Sequence, residues 1–186
     1  MPDEEEFERL VETTRKAGAA LRDAGVPFAL GGGLAAWVRG GPRTEHDIDF
    51  VLKPEDAERA LVALADAGFR TETPVEEWLV KAYDGDLLVD LIFRPASGPV
   101  DDEVLARADE LEVAAVTMPV ASLDDVMVTK LLALNEQESD FGGCLEIARS
   151  LREQIDWDRV RERTADAPFA AAFFTLVEEL GVVRAT

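Results

Sequence analysis

Three aspartates and a run of glycines carry the chemical signal. Gly31-Gly32-Gly33 is followed by thirteen residues, 34 to 46, and then by Asp47-Ile48-Asp49-Phe50. On a strand, residues i and i+2 share a face, so Asp47 and Asp49 are neighbours on one side while Ile48 and Phe50 turn to the other. Two carboxylates this close repel each other unless a cation intervenes, and Mg²⁺ is held by one or two carboxylates together with substrate phosphates. A third carboxylate, Asp90, is the only charge in the apolar run Leu87-Leu88-Val89-Asp90-Leu91-Ile92-Phe93. A buried carboxylate without a partner is costly, and a shared metal ion supplies one. The glycines suit the same chemistry, because a Gly-rich turn between strand and helix lets backbone approach a phosphate. Taken alone, a triple glycine is more often a structural turn, and Asp-x-Asp is a weak signal. The order strand, glycine turn, helix, Asp-x-Asp strand and later Asp-bearing strand is far more specific.

These residues must be positioned by the elements around them. Glu4 to Ala24 carries Phe7, Leu10, Val11, Thr14, Ala17 and Leu21 at helical spacing, stopped by Gly25 and Pro27. The pattern predicts strands at Pro27 to Leu30, Asp47 to Leu52, Phe69 to Thr73 and Leu111 to Val116. A hairpin is predicted from Trp78 to Phe93, turning at Asp84-Gly85. Helices are predicted at 34–39, from Pro54 to Gly68, and from Asp101 to Ala108. From Ser122 to Leu180 the pattern is wholly helical, at about 122–135, 143–154, 156–163 and 168–180. The expected fold is α+β: a core over residues 1–119 and a helical bundle over residues 120–186.

Composition narrows the function classes. The 186 residues hold 39 acidic and 19 basic side chains, a formal charge of -20, with 47% hydrophobic residues to build a core. Such a charge disfavours extended nucleic-acid binding and attachment to anionic membranes. It leaves open a nucleotide held through metal ions. One cysteine, Cys144, excludes an intrachain disulfide or a cysteine zinc cluster, and one histidine, His46, excludes a multi-histidine site. The acidic start, Asp3 to Glu6, is unlike a signal peptide, and no apolar run is long enough to span a membrane, so a cytoplasmic location is expected. The Gly-Lys-Ser/Thr element of a P-loop is missing, and Gly-x-Gly-x-x-Gly does not occur at the turn.

The chain resembles the polymerase-β-like nucleotidyltransferase superfamily, whose signature is a hydrophobic residue, Gly, Gly or Ser, roughly ten residues, then Asp-h-Asp-h with h hydrophobic. Here Gly32-Gly33 and Asp47-Ile48-Asp49-Phe50 stand in those places. Arg43-Thr44-Glu45-His46 is similar to the Arg- and Thr-bearing run of bacterial stand-alone members, with Glu45 where many have Thr. The resemblance implies a core of a small mixed sheet with flanking helices. It implies that Asp47, Asp49 and Asp90 hold two Mg²⁺ ions, with Mn²⁺ able to substitute, and that Asp90 takes the proton of an acceptor hydroxyl. It implies that Gly32, Gly33, Arg43, Thr44 and Lys130 bind the NTP triphosphate. The reaction implied is transfer of a nucleoside monophosphate to an acceptor with release of pyrophosphate. Such acceptors include antibiotics, proteins and tRNA ends, and a non-catalytic binding member is the competing reading. On its own helix Lys130 lies at the margin of an apolar face, where covering core surface competes with a phosphate role. Arg39 and Arg43 could meet phosphates or pair with the many carboxylates, and Asp140 and His46 are weaker site candidates.

Overall fold

The computed structural model describes residues 4–44, 47–75 and 77–184. The long first helix, α1 (Glu4–Asp23), opens on three glutamates that suit its N-terminal dipole and buries Phe7, Leu10, Ala17 and Leu21. Strand β1 (Phe28–Leu30) leads into α2 (Gly32–Val38), and β2 (Ile48–Leu52) follows. A short 3-10 turn (Pro54–Asp56) opens α3 (Ala57–Asp66), then come β3 (Arg70–Glu72), β4 (Leu79–Asp84) and β5 (Leu87–Ile92). Beyond them lie α4 (Asp102–Ala106), β6 (Asp109–Val113) and β7 (Val116–Val120). The rest is helical: α5 (Leu123–Ala133), α6 (Gly142–Leu151), α7 (Trp157–Arg163) and α8 (Pro168–Glu179). No described helix is long and apolar enough to cross a membrane.

The described strands form one mixed sheet in the order β3-β4-β5-β2-β1-β7-β6. β2 runs parallel to β5 and β1 parallel to β7, while the other neighbours are antiparallel. In β2 the alternation is complete: Ile48, Phe50 and Leu52 are fully buried, while Asp49 and Val51 between them are half-buried. α1 covers the sheet face that carries Phe28 and Met118, and it does so closely. A methyl group added at Gly18 would stand 2.7 Å from Met118 Cε. The opposite face carries the aspartates and is approached by α5, which α6, α7 and α8 flank.

Three sequence expectations are corrected. Leu111 to Val116 is not one strand. Val113 pairs with Val116, so Ala114-Ala115 is a two-residue turn between β6 and β7, with φ of 48° and 64°. Without Gly, Asn or Asp in it, such a turn leaves no sequence signal. The β4–β5 turn is Gly85-Asp86, since Asp84 pairs with Leu87. Gly32 and Gly33 do not form a loop ahead of a helix from residue 34. They are the first turn of α2.

Candidate functional site

The glycine run ends β1 against the aspartate strand. Gly31 N–H donates to the Asp49 carbonyl at 2.7 Å, fixing the turn to β2. Gly32 has φ +56°, and a Cβ there would lie 1.8 Å from Asp49 Oδ2. Only glycine both tolerates this backbone and leaves room for the carboxylate. Gly33 makes a second allowance: its Cβ would fall 2.6 Å from Thr44 Oγ1. The two glycines therefore seat two of the predicted site side chains. With seven residues, α2 contributes only a short helix dipole.

Parallel pairing of β2 and β5 sets Asp49 opposite Asp90, one strand spacing or about 4.8 Å away. Burial pushes the Asp49 carboxyl up to about 6; the Asp90 charge adds to this, Lys130 opposes it, and Asp47 adds a little more. Asp90 is raised too, first by burial and then by Asp47, with Lys81 opposing. Its Oδ1 is a buried oxygen without a hydrogen-bond partner. A pair of inward carboxylates, both reluctant to ionise and one carrying an orphaned oxygen, fits a divalent cation. Asp47 stands just outside β2 and is exposed. Among the described residues no three acidic, histidine or cysteine side chains are gathered as a complete metal site. Mg²⁺ can be held by one or two carboxylates, with water and phosphate oxygens completing its shell.

Lys130 reaches the site from α5, half-buried, between two cavities. One is a cleft of about 390 Å³ that Gly33, Arg43, Thr44, Lys130, Asp140 and Gly143 help to line. The other is a crevice that Gly31, Gly32, Asp49 and Lys130 border. The remaining candidates are distributed as follows. Arg43 lines the open cleft, with its guanidinium 4.9 Å from the Phe7 ring centre and 3.9 Å from Glu4. Arg39 is committed elsewhere: it donates to the Val120 and Ala121 carbonyls and pairs with Asp109 at 2.8 Å. Asp140 accepts from Gly142 N–H at 2.7 Å. His46 and Glu45 lie outside the described residues. Cys144 is buried, and burial raises its thiol pKa, with Lys130 opposing.

Two features escaped the sequence reading. Lys81 sits opposite Asp90 in the β4–β5 register and is the cation that draws its carboxyl back down. A hairpin turned at Asp84-Gly85 would have set Leu79 there instead; the shift of two residues keeps the face and changes the neighbour. The second is Asp125 at the start of α5. It accepts from Arg107 at 2.8 and 2.9 Å, from Arg163 at 2.7 Å and from Ser122 at 2.8 Å. Four hydrogen bonds to one carboxylate join α4, α5 and α7, and nothing in the local sequence announces partners so distant.

Comparison with known proteins bears on the family and the fold. The model of a family described as uncharacterised nucleotidyltransferase matches residues 8–186. The solution structure of the antibiotic-resistance factor ANT(2'')-Ia is similar, with 18% identity over 94% of this chain and 98% of that one and a TM-score of 0.62. A crystal structure of ANT(2'')-Ia in complex with adenylyl-2''-tobramycin gives 19% identity, 90% and 98% coverage and a TM-score of 0.54. A chain from H. pylori, described as a candidate nucleotidyltransferase, gives 18% identity, 97% and 83% coverage and a TM-score of 0.56. At these identities the likeness is one of fold. No curated protein matches the chain.

Proposed function

The chain belongs to this nucleotidyltransferase family, and on that premise we propose that it moves a nucleoside monophosphate from an NTP to an acceptor hydroxyl through Asp47, Asp49, Asp90 and Lys130. The observation that carries the reading is the Asp49–Asp90 pair, in register on parallel strands, with Lys130 near enough to Asp49 to favour its charge and Asp90 Oδ1 unpartnered. Asp47, Asp49 and Asp90 are the residues that would hold Mg²⁺ or Mn²⁺. When bound, the metal neutralises the carboxylates and stabilises charge on the attacking and leaving oxygens.

The protein's own groups then have distinct tasks. Gly33, Arg43, Thr44 and Lys130 line the open cleft and would hold the triphosphate there, with Lys130 offsetting charge on the phosphates and on Asp49. Gly32 keeps the space beside Asp49 Oδ2 free of a side chain. The acceptor oxygen forms a bond to the α-phosphorus. The bond from that phosphorus to the bridging oxygen breaks, and pyrophosphate leaves with its electrons. The hydroxyl proton passes to the Asp90 carboxylate. Positioning and charge stabilisation supply most of the acceleration in such a transfer. In this proposal the core of residues 1–119 supplies the aspartates and the helical region of residues 120–186 supplies Lys130. A cytoplasmic location, with its supply of NTP, suits it.

The ANT(2'')-Ia complex contains an adenylylated antibiotic, which supports a small-molecule acceptor for this chain as well. The test incubates the protein with each α-labelled NTP and Mg²⁺ against antibiotics, small alcohols, total tRNA and cell protein. Label on a small molecule, with pyrophosphate release that Asp49→Asn abolishes, is the expected result. Label on tRNA would move the chain to a toxin-type activity. Nucleotide binding without label on any acceptor would make it a binding member. Transfer that survives Asp49→Asn would remove the mechanism.

A further inference from the structure

Between the aspartate face of the sheet and α5 lies a crevice of about 170 Å³. Its walls are mostly apolar, with Ala29 and Val51 from the sheet, Val100 and Val104 from the segment after β5, and Val126 from α5. Charged groups border it in two places: Asp49 with Lys130, and Asp125 with Arg163. On α5, Asp125 and Lys130 are five residues apart, about 7.5 Å along the helix axis.

The position of this crevice relative to the open cleft is informative. Along the chain through β2, Arg43 and Thr44 precede Asp49 and line the open cleft, while Val51 follows it and lines the crevice. Lys130 borders both. The two cavities thus meet at Lys130, with Asp49 lining the crevice and not the cleft. In-line displacement places the attacking and leaving oxygens on opposite sides of the phosphorus. With the triphosphate in the cleft of Arg43, Thr44 and Lys130, pyrophosphate leaves on that side and the acceptor enters from the crevice.

We propose that the crevice beneath α5 is the acceptor subsite, and that it takes a small uncharged alcohol with a ring-sized apolar body and a hydrogen-bond-accepting group at the far end. This rests on the nucleotidyltransferase reading and names its substrate class. Size sets the body, since a dry apolar cavity of about 150 Å³ accommodates a benzene ring. Charge excludes a polycation. Among the described residues, the carboxylates lining the crevice are Asp49, which belongs to the reaction, and Asp125, whose oxygens are already taken by Arg107, Ser122 and Arg163. Arg163 donates to Asp125 through Nη1, which leaves its other N–H groups to meet a carbonyl or ether oxygen of the acceptor. The whole-chain charge of -20 would favour a cationic acceptor, but it acts on encounter, whereas the crevice wall acts on the bound molecule.

The probe is 4-(hydroxymethyl)benzamide, whose hydroxyl and carbonyl lie at opposite ends of one ring; glycerol and tobramycin are the comparisons. Binding to the full chain is followed by saturation-transfer NMR with Mg²⁺ and a non-transferable ATP analogue present. Two variants fill the crevice from different walls, Val104→Trp at its α4 side and Val51→Phe at its floor. The expected result is probe binding that weakens at least about tenfold in either folded variant, with affinity for the ATP analogue changed less than about twofold. Tobramycin binding better than the probe, or probe binding unaffected by filling, would overturn the proposal. Loss of ATP-analogue binding on filling would assign the crevice to the nucleobase and overturn it equally. Failure of every form, wild type included, to bind nucleotide would instead remove the nucleotidyltransferase reading beneath it.

Discussion

Replacing Asp49 by Asn should make the metal-free protein more stable while destroying its activity. The wild-type carboxyl is raised from 3.8 to about 6, first by burial and then by the charge on Asp90. An acid whose pKa is higher folded than unfolded binds protons more tightly in the folded state. The stability it allows in full below about pH 3.8 is lost as pH rises through about 6. At about 1.36 kcal/mol per pH unit, the gap between 3.8 and about 6 is worth at most about 3 kcal/mol at pH 7 to 8. By the same linkage the loss is about half as large at pH 5 and small at pH 4. Asn cannot ionise, so the variant keeps what the wild type loses. Groups that titrate alike in both proteins cancel in the difference. Urea unfolding of both proteins in EDTA, at pH 4, 5 and 7.5, measures it directly. Nucleotidyl transfer should fall at least about a thousandfold, or about 4 kcal/mol of barrier. An Asn variant no more stable than wild type at pH 7.5, or one whose advantage does not shrink toward pH 4, would refute the electrostatic account of the site.

Three further outcomes follow from the geometry. Gly32→Ala should cost about 1–2 kcal/mol for its positive φ alone, and transfer should vanish because the new methyl meets Asp49 Oδ2; Gly33→Ala, opposed only by the Thr44 side chain, should be milder in both chemical unfolding and activity. Asp125→Ala should destabilise by about 3 kcal/mol or more in urea unfolding, because it strands Arg107 and Arg163. Burial pushes the Asp125 carboxyl up, but hydrogen bonds from Arg107, Ser122 and Arg163 outweigh it and hold it below the ordinary range. The stability it provides should therefore be present above about pH 4 and fade as pH falls further, which acid titration of the variant against wild type would detect. Lys130→Met should raise the Asp49 carboxyl further, visible by carboxyl ¹³C NMR titration, and reduce transfer about ten- to a hundredfold.

Several parts of the proposed site are local patterns in the sequence. Strand periodicity sets Asp49 apart from the buried Ile48 and Phe50, although Asp47 falls just outside β2, and Asp90 stands out as one charge in an apolar run. Gly32 and Gly33 are punctuation that any reading notices. What escaped depends on pairings between distant segments. That Asp49 and Asp90 share a site was expected from the resemblance, but the register of β2 on β5 that pairs them is specified by no local pattern. Lys81 escaped because the turn fell one residue later than its dipeptide suggested. The β6–β7 hairpin escaped because two alanines make its turn. Arg163 and Arg107 find Asp125 only after three helices have packed. Lys130 was visible as a lysine on an apolar margin, but its nearness to Asp49 needed α5 to be laid over the sheet.

The parallel pairing of β1 with β7 has a bearing on how the molecule assembles. Leu30 lies beside Val120, Ala121 N–H donates to the Leu30 carbonyl, and Ser122 caps α5 immediately afterwards. The helix that brings Lys130 to the aspartates is thus launched from a strand beside the β6 edge of the sheet, one that joins only after most of the chain is available. Contacts between segments so far apart must first meet the entropy of closing a long loop, which slows them. The hairpins β4–β5 and β6–β7 involve short closures and would form early. The proposed site would be completed late, by the docking of β7, and so would trail bulk secondary structure in a refolding time course.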